Sequence, residues 1–252
     1  MSAARRLLAG AATALLLAAP ARVAGAQMPG MPEMKRMMSW ERTLFVLFDQ
    51  FEYAPGGDGR PFNAEALVWY GGAHNRIWVR AQSELATTER QGEVEADVLY
   101  GRLIDPWWDA VVGLRVDEHW GNENFTRVLA TVGLIGLAPY RFEFEPTLFV
   151  SHKGELSARL EASTQILVTQ RLVAEPEFEV NAALQDVPEY DVRSGLNDYE
   201  MGVRVRYEFT RQFAPYVGWS QSRRVGGSTD LGAPHGDPAS ESRFVVGLRF
   251  WR

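Results

Sequence analysis

Five of the chain's seven methionines crowd its beginning. Met28, Met31, Met34 and Met37 recur every third residue, and Met38 follows directly. A thioether is soft and uncharged, which suits Cu(I) and serves Zn(II), Mg(II) or Ca(II) poorly. A pliable tail can fold three such sulfurs around one ion without a preformed pocket. The same residues also fit an ordinary tail, or an apolar stripe that docks on another surface, because methionine fills gaps readily. Of the four histidines (His74, His119, His152 and His235), His74 falls in a short turn on the side where this tail would lie. Imidazole is a common metal ligand, although a solvated turn histidine is the plainer reading of one side chain outside any cluster. The predicted metal ligands are therefore Met28, Met31, Met34, Met37, Met38 and His74.

Other chemistries are poorly served. There is no cysteine, hence no disulfide framework, thiolate metal site or thiol nucleophile. The chain has neither a Gly-x-Ser-x-Gly elbow nor a His-Glu-x-x-His pair. Glu143 and Glu145 sit two apart on one strand face, as any charged face would place them, and no enzymatic activity is expected. The formal net charge is −6, and it becomes more negative once Arg5, Arg6 and Arg22 are removed with a leader. That excess of acid argues against nucleic acid as a partner.

The elements that would position these residues begin with an export signal. Arg5 and Arg6 precede an apolar run from Leu7 to Ala19, and Ala24-Gly25-Ala26 offers a small-residue cleavage site. The run is too short to span a bilayer, which takes about 20 residues. Residues 1–26 are thus predicted to be a signal peptide, 27–43 a Met-rich tail, and 44–252 the folded body. No later apolar run could form a membrane helix, so a membrane position would require a closed barrel.

The body alternates. Between Asn197 and Phe209, Tyr199, Met201, Val203, Val205 and Tyr207 interleave with Asp198, Glu200, Arg204, Arg206 and Glu208. In a strand these two sets face opposite ways. About twelve such strands are expected near 44–53, 64–71, 75–86, 92–102, 107–117, 126–136, 140–150, 155–168, 172–184, 197–209, 213–224 and 241–251. Asp49 alone breaks the pattern of the first, falling on its apolar face. Tight connections (72–74, 103–106, 137–139, 169–171, 210–212) tend to alternate with longer ones, including 118–125. Aromatics gather at the tight ones: Tyr100, Trp107 and Trp108, Tyr140 and Phe142, Tyr207, Phe209, Phe213 and Tyr216, then Phe250 and Trp251. A soluble sandwich also has two-faced strands. Long strands, uneven turns and an aromatic girdle instead predict an all-β fold, a closed antiparallel transmembrane β-barrel of about 12 strands with both termini periplasmic.

Its polar face would then line a lumen. The expected inward acids include Glu52, Glu84, Glu93, Glu95, Asp97, Glu143, Glu145, Glu161, Glu177, Glu179, Glu200 and Glu208. The expected inward bases include Arg76, Arg80, Arg115, Arg141, Arg159, Arg204, Arg206 and Arg249. Enclosed charges must be paired or hydrated. They predict a salt-bridged plug, with a polar cation path as the alternative.

Laid out in this way, the chain resembles the copper resistance protein B (CopB) family of outer-membrane proteins. The resemblance is carried by Asp49-Gln50 with Glu52, by Gly71-Gly72 with Asn75-Arg76 and Trp78, and by Glu93-x-Glu95 before Pro106-Trp107-Trp108-Asp109. It continues through Gly136-Leu137-Ala138-Pro139-Tyr140, Thr169-Gln170-Arg171-Leu172, Ser194-Gly195-Leu196 and Phe213-Ala214-Pro215-Tyr216. It covers nearly all of the chain from Leu44 onward. The resemblance implies an outer-membrane protein that binds copper and contributes to copper sequestration or export, alongside periplasmic copper-handling proteins. It also strengthens the copper reading of the methionine tail. Two departures stand out: the Met-rich segment is short and lacks histidine, and Arg252 follows the terminal aromatic Trp251. A small outer-membrane diffusion pore with no metal role is the alternative. The expected partners are copper ions and outer-membrane lipid.

Overall fold

The computed structural model describes residues 42–55, 62–86, 92–121, 124–187, 190, 192–225 and 240–252. The predicted signal peptide and all but the last two residues of the predicted methionine tail, with Met28, Met31, Met34, Met37 and Met38, lie outside the described residues, as does His235.

Alternating sequence becomes strand wherever it was expected. The strands are β1 (Thr43–Tyr53), β2 (Phe62–Gly71), β3 (Asn75–Leu85), β4 (Gly92–Asp105), β5 (Trp108–Trp120), β6 (Phe125–Ala138) and β7 (Phe142–Ser151). They continue with β8 (Leu156–Thr164), β9 (Ile166–Leu167), β10 (Leu172–Ala183), β11 (Gly195–Tyr207), β12 (Phe213–Arg224) and β13 (Ser240–Trp251). β8 and β9 pair with β10 in one continuous register, Ser163 opposite Glu177 and Leu167 opposite Val173. They are one stave interrupted at Gln165, so the barrel has twelve staves. Every neighbouring pair is antiparallel, and β13 closes on β1 with Phe250 opposite Phe48 and Val246 opposite Tyr53. Closure leaves no unpaired sheet edge, the condition for strands to cross a bilayer.

β1 carries a bulge. Its pairing with β2 runs Phe48 to Ala66 and then Gln50 to Glu65, so Asp49 is an extra residue. The bulge resets the alternation, and this is why Asp49 falls out of phase in the sequence. Past it, Phe51 and Tyr53 face outward and Glu52 is buried inside.

The outer wall is apolar. Val98, Leu114, Leu148, Val217 and Phe244 are all more than half exposed, which in a closed barrel means contact with lipid. Met201 lies on this wall too and packs there. Tyr100, Trp107, Tyr140, Phe142, Tyr207, Phe209, Phe213 and Phe250 form the expected outer belt beside the short turns. Tyr216 and Trp251 do not belong to it. Tyr216 is 6 % exposed and lines an internal cavity. Trp251 faces the short-turn mouth, its Nε1 donating to the Arg211 carbonyl at 2.6 Å. Both are out of step with outward Phe213 and Phe250, and two-residue parity sends them inward.

The turns follow the expected asymmetry with one correction. β5 runs on to Trp120 and β6 starts at Phe125, so this longer connection shrinks to 121–124. The turn Pro139–Arg141 reverses the chain with Tyr140 and Arg141 both at positive φ, 67° and 65°. Two successive left-handed residues suit the right-handed twist of a hairpin. Arg141 is thereby held on the exposed turn rather than in the lumen, where it was expected.

Candidate functional site: the barrel lumen

The inward rows bring acids and arginines from distant staves together. Arg80 of β3 reaches Glu145 of β7 at 2.6 Å. Arg159 of β8 grips Glu95 of β4 with both terminal nitrogens, at 2.9 and 3.2 Å. The same guanidinium bonds Asn181 at 2.9 Å and approaches Glu179 at 3.1 Å. Arg115 also binds Glu95, and its Nε donates to Asp117 at 2.5 Å. These contacts form one network around Glu95 that crosses the barrel. Two-pronged arginine–carboxylate pairs of this kind are the stronger class of ionic hydrogen bond.

A second network lies around β11. Arg204 binds Glu52 of β1, Gln50 at 3.1 Å, and Glu177 of β10. Arg206 binds Glu175 and donates to Gln165 at 2.8 Å. Arg249 meets Asp49 at 2.5 Å and Glu175 at 3.3 Å. The bulge residue Asp49 thus holds an arginine from the closing strand.

These pairs do not use every acid. A cavity of about 180 Å³ is lined by Glu65, Glu143, Glu161 and Glu200, with Arg204 and Arg249 at its wall. Glu65, Glu143 and Glu200 have no ion-pair partner among the described residues. Carboxylates enclosed in this way must be hydrated or neutralised by a cation. Among the described residues, no three histidine or acidic side chains converge closely enough to chelate a metal. Among the described residues the lumen is thus rich in acid but forms no built coordination sphere.

One part of the lumen is apolar. Trp78, Leu99 and Val111 are buried together, with Leu67, Trp69 and Ile135 packed against them. Gly101 makes room for Trp78, since a Cβ there would lie 2.6 Å from the indole nitrogen.

The histidines separate. His74 is exposed in the turn between β2 and β3, and its carbonyl accepts the Leu103 amide at 2.8 Å. Thr43, where β1 begins, pairs with Gly71 beside that turn, so His74 and the start of the barrel share one end. His152 is exposed in the connection 152–155. His119, expected in a loop, is 5 % exposed inside β5, with its ring stacked on Phe125 and Nδ1 3.9 Å from Glu93. The strand simply extends further than its apolar alternation suggests.

Several lumen residues escaped the sequence reading: Glu65, Asp117, Arg127, Glu175 and Arg243. Glu175 stands two before Glu177, so parity alone could have found it. Arg127 and Arg243 stand at strand ends, where the periodic signal fades.

With the geometry described, similarity to known proteins can be placed on it. A family described as Copper resistance protein B precursor (CopB) matches residues 42–252. The chain belongs to this family. It is 37 % identical over 206 residues to Copper resistance protein B of Escherichia coli, covering 82 % of this chain and 68 % of the relative. It is 34 % identical over 207 residues to a Copper resistance protein B homolog of Pseudomonas syringae pv. tomato (strain ATCC BAA-871 / DC3000), covering 82 % and 69 %. These relatives support a copper-resistance role. Among solved structures, the NanC porin superposes with a TM-score of 0.52 at 15 % identity, covering 82 % of this chain and 99 % of that one. That likeness concerns the fold alone, a closed antiparallel β-barrel.

Proposed function

We propose that this CopB-family barrel binds copper and contributes to copper sequestration or export at the outer membrane, without enzymatic activity. The observation that carries the proposal is family membership across the whole barrel, and it is supported by a lumen cavity in which Glu65, Glu143 and Glu200 have no ion-pair partner among the described residues. In this reading residues 1–26 are cleaved on export, both ends of the mature chain face the periplasm, and the tail meets copper there. Met28, Met31, Met34, Met37 and Met38 supply soft sulfur for Cu(I). His74, which shares an end of the barrel with the start of β1, would add an imidazole in this reading. The acidic lumen favours cations near the barrel by its field alone.

Titration of the purified mature protein with Cu(I) tests the tail. Replacing all five tail methionines by leucine is expected to remove the tightest binding class. Unchanged stoichiometry and affinity would take the tail out of the mechanism. A His74→Ala variant should weaken that class if the imidazole joins it.

A further inference from the structure

The lumen does not end evenly at the short-turn mouth. On one side it is closed by apolar side chains from β1 to β6. Trp78, Leu99 and Val111 are buried there, with Leu67, Trp69 and Ile135 against them. Between ring centroids, Phe45 lies 5.9 Å from Trp69 and 6.0 Å from Trp251, and Trp69 lies 6.1 Å from Trp78. This apolar floor offers an ion nothing to replace its water.

The other side is polar. Glu208, Arg211, Gln212 and Trp251 line a cavity of about 230 Å³ at this mouth. Arg206 and Arg249 line it too, and the same two arginines line the inner cavity of about 180 Å³ described above. They therefore stand between mouth and interior. Glu175 ties them together: Arg206 binds it, and Arg249 reaches it at 3.3 Å. Each arginine also holds other groups. Arg206 donates to Gln165 at 2.8 Å and approaches Glu208 at 3.7 Å, while Arg249 meets Asp49 at 2.5 Å. Either can leave Glu175 without being stranded, and the freed carboxylate then faces whatever passes. Beyond it, acids outnumber arginines in the lining of the inner cavity, and Glu65, Glu143 and Glu200 have no ion-pair partner among the described residues.

We infer that the polar side of the short-turn mouth is a portal by which small cations, and not anions, reach the inner cavity, with Glu175 between Arg206 and Arg249 setting the preference. The apolar side is sealed, so passage at this mouth is confined to the side that carries the ion pairs. An enclosed cleft lined by one sign of charge raises the local concentration of the opposite sign by about 10- to 1,000-fold. The preference is one of charge and size. It holds for any small hydrated cation, whether or not copper is the ion carried.

The natural chain has no cysteine, so a single introduced thiol reports access without background. Ser163→Cys places one in the inner cavity, and Gln212→Cys places one at the mouth. The probes are two methanethiosulfonates of similar size, one bearing a trimethylammonium and one a sulfonate, applied to the folded barrel in detergent. The ratio of cationic to anionic rate is expected to be at least about tenfold higher at position 163 than at position 212. Glu175→Gln leaves two arginines at the portal without their shared acid, and should cut the ratio at position 163 by about threefold or more. Two exposed positions test the route. Gln212→Trp, on the polar rim, should slow the cationic reagent at position 163 several-fold, whereas Ala73→Trp, in the β2–β3 turn on the apolar side, should leave it unchanged. This pair keeps the test decisive if Glu175→Gln fails to fold. Equal rates for the two reagents at position 163, an unchanged ratio in folded Glu175→Gln, or equal effects of the two tryptophans would overturn the inference.

Discussion

Single residues in the lumen carry consequences out of proportion to their size, because the guanidiniums of Arg159, Arg204 and Arg249 each serve more than one acid. Arg204 and Glu52 are both almost fully buried, with side chains 9 % and 4 % exposed. Removing one partner strands the other in a low-dielectric wall, which costs about 3–5 kcal/mol. Arg204→Met should therefore lower the resistance of the barrel to urea strongly, and adding Glu52→Leu should recover part of that loss. A double variant no more stable than the single one would contradict the pairing. Gly247 shows the same tightness in apolar form: a Cβ there would lie 2.4 Å from the Tyr216 ring. Gly247→Ala should cost about 1–3 kcal/mol as an overpacked substitution, readable as a lower unfolding midpoint in urea.

At the scale of elements, the β1 bulge decides which face meets lipid. Deleting Asp49 removes the extra residue and leaves Phe48, Phe51 and Tyr53 facing outward and Gln50 and Glu52 inward. Such a variant should still assemble, with only the Arg249 contact to Asp49 lost. Deleting Phe51 instead turns Glu52 toward lipid, where a charge is costly in proportion to its depth. Assembly of that variant, scored by heat-modifiable gel mobility, should fail. The connection between β10 and β11 has its own pH limit. The Ser194 amide, and then its hydroxyl, hold the Asp186 carboxyl below its ordinary value. A depressed carboxyl stabilises the folded connection above its unfolded value of about 3.9 and loses that contribution only as pH falls further. The urea midpoint of the barrel should thus be insensitive to this staple at neutral pH.

Most of these elements were legible in the sequence, since two-residue alternation is a strong signal. β11 shows it plainly, with Tyr199, Met201 and Val203 on the outer wall as expected. Asp49 was visible as an anomaly, but a bulge is a pairing event between strands that one strand cannot announce. Residue type places Tyr216 and Trp251 in a girdle, whereas their two-residue parity points inward. Cross-barrel partners such as Glu95 and Arg159 were unreadable, because they depend on how staves four apart face each other after closure.

For the whole molecule, family membership supports a copper-resistance role, and the lumen is crossed by ionic pairs yet keeps Glu65, Glu143 and Glu200 without an ion-pair partner among the described residues. The Arg80–Glu145 and Arg159–Glu95 crossings should hold ionic current low in planar bilayers, and Arg80→Ala with Arg159→Ala should raise it several-fold. A wild-type barrel that already conducts as freely as this double variant would favour the simple diffusion pore. The central claim, a role in copper handling, is tested most directly by deleting the gene and measuring growth across a range of copper concentrations, with the intact chain restored from a plasmid. Deletion is expected to change copper tolerance, and the restored chain to return it to the parental level. Identical growth curves with and without the gene at every copper concentration would contradict it.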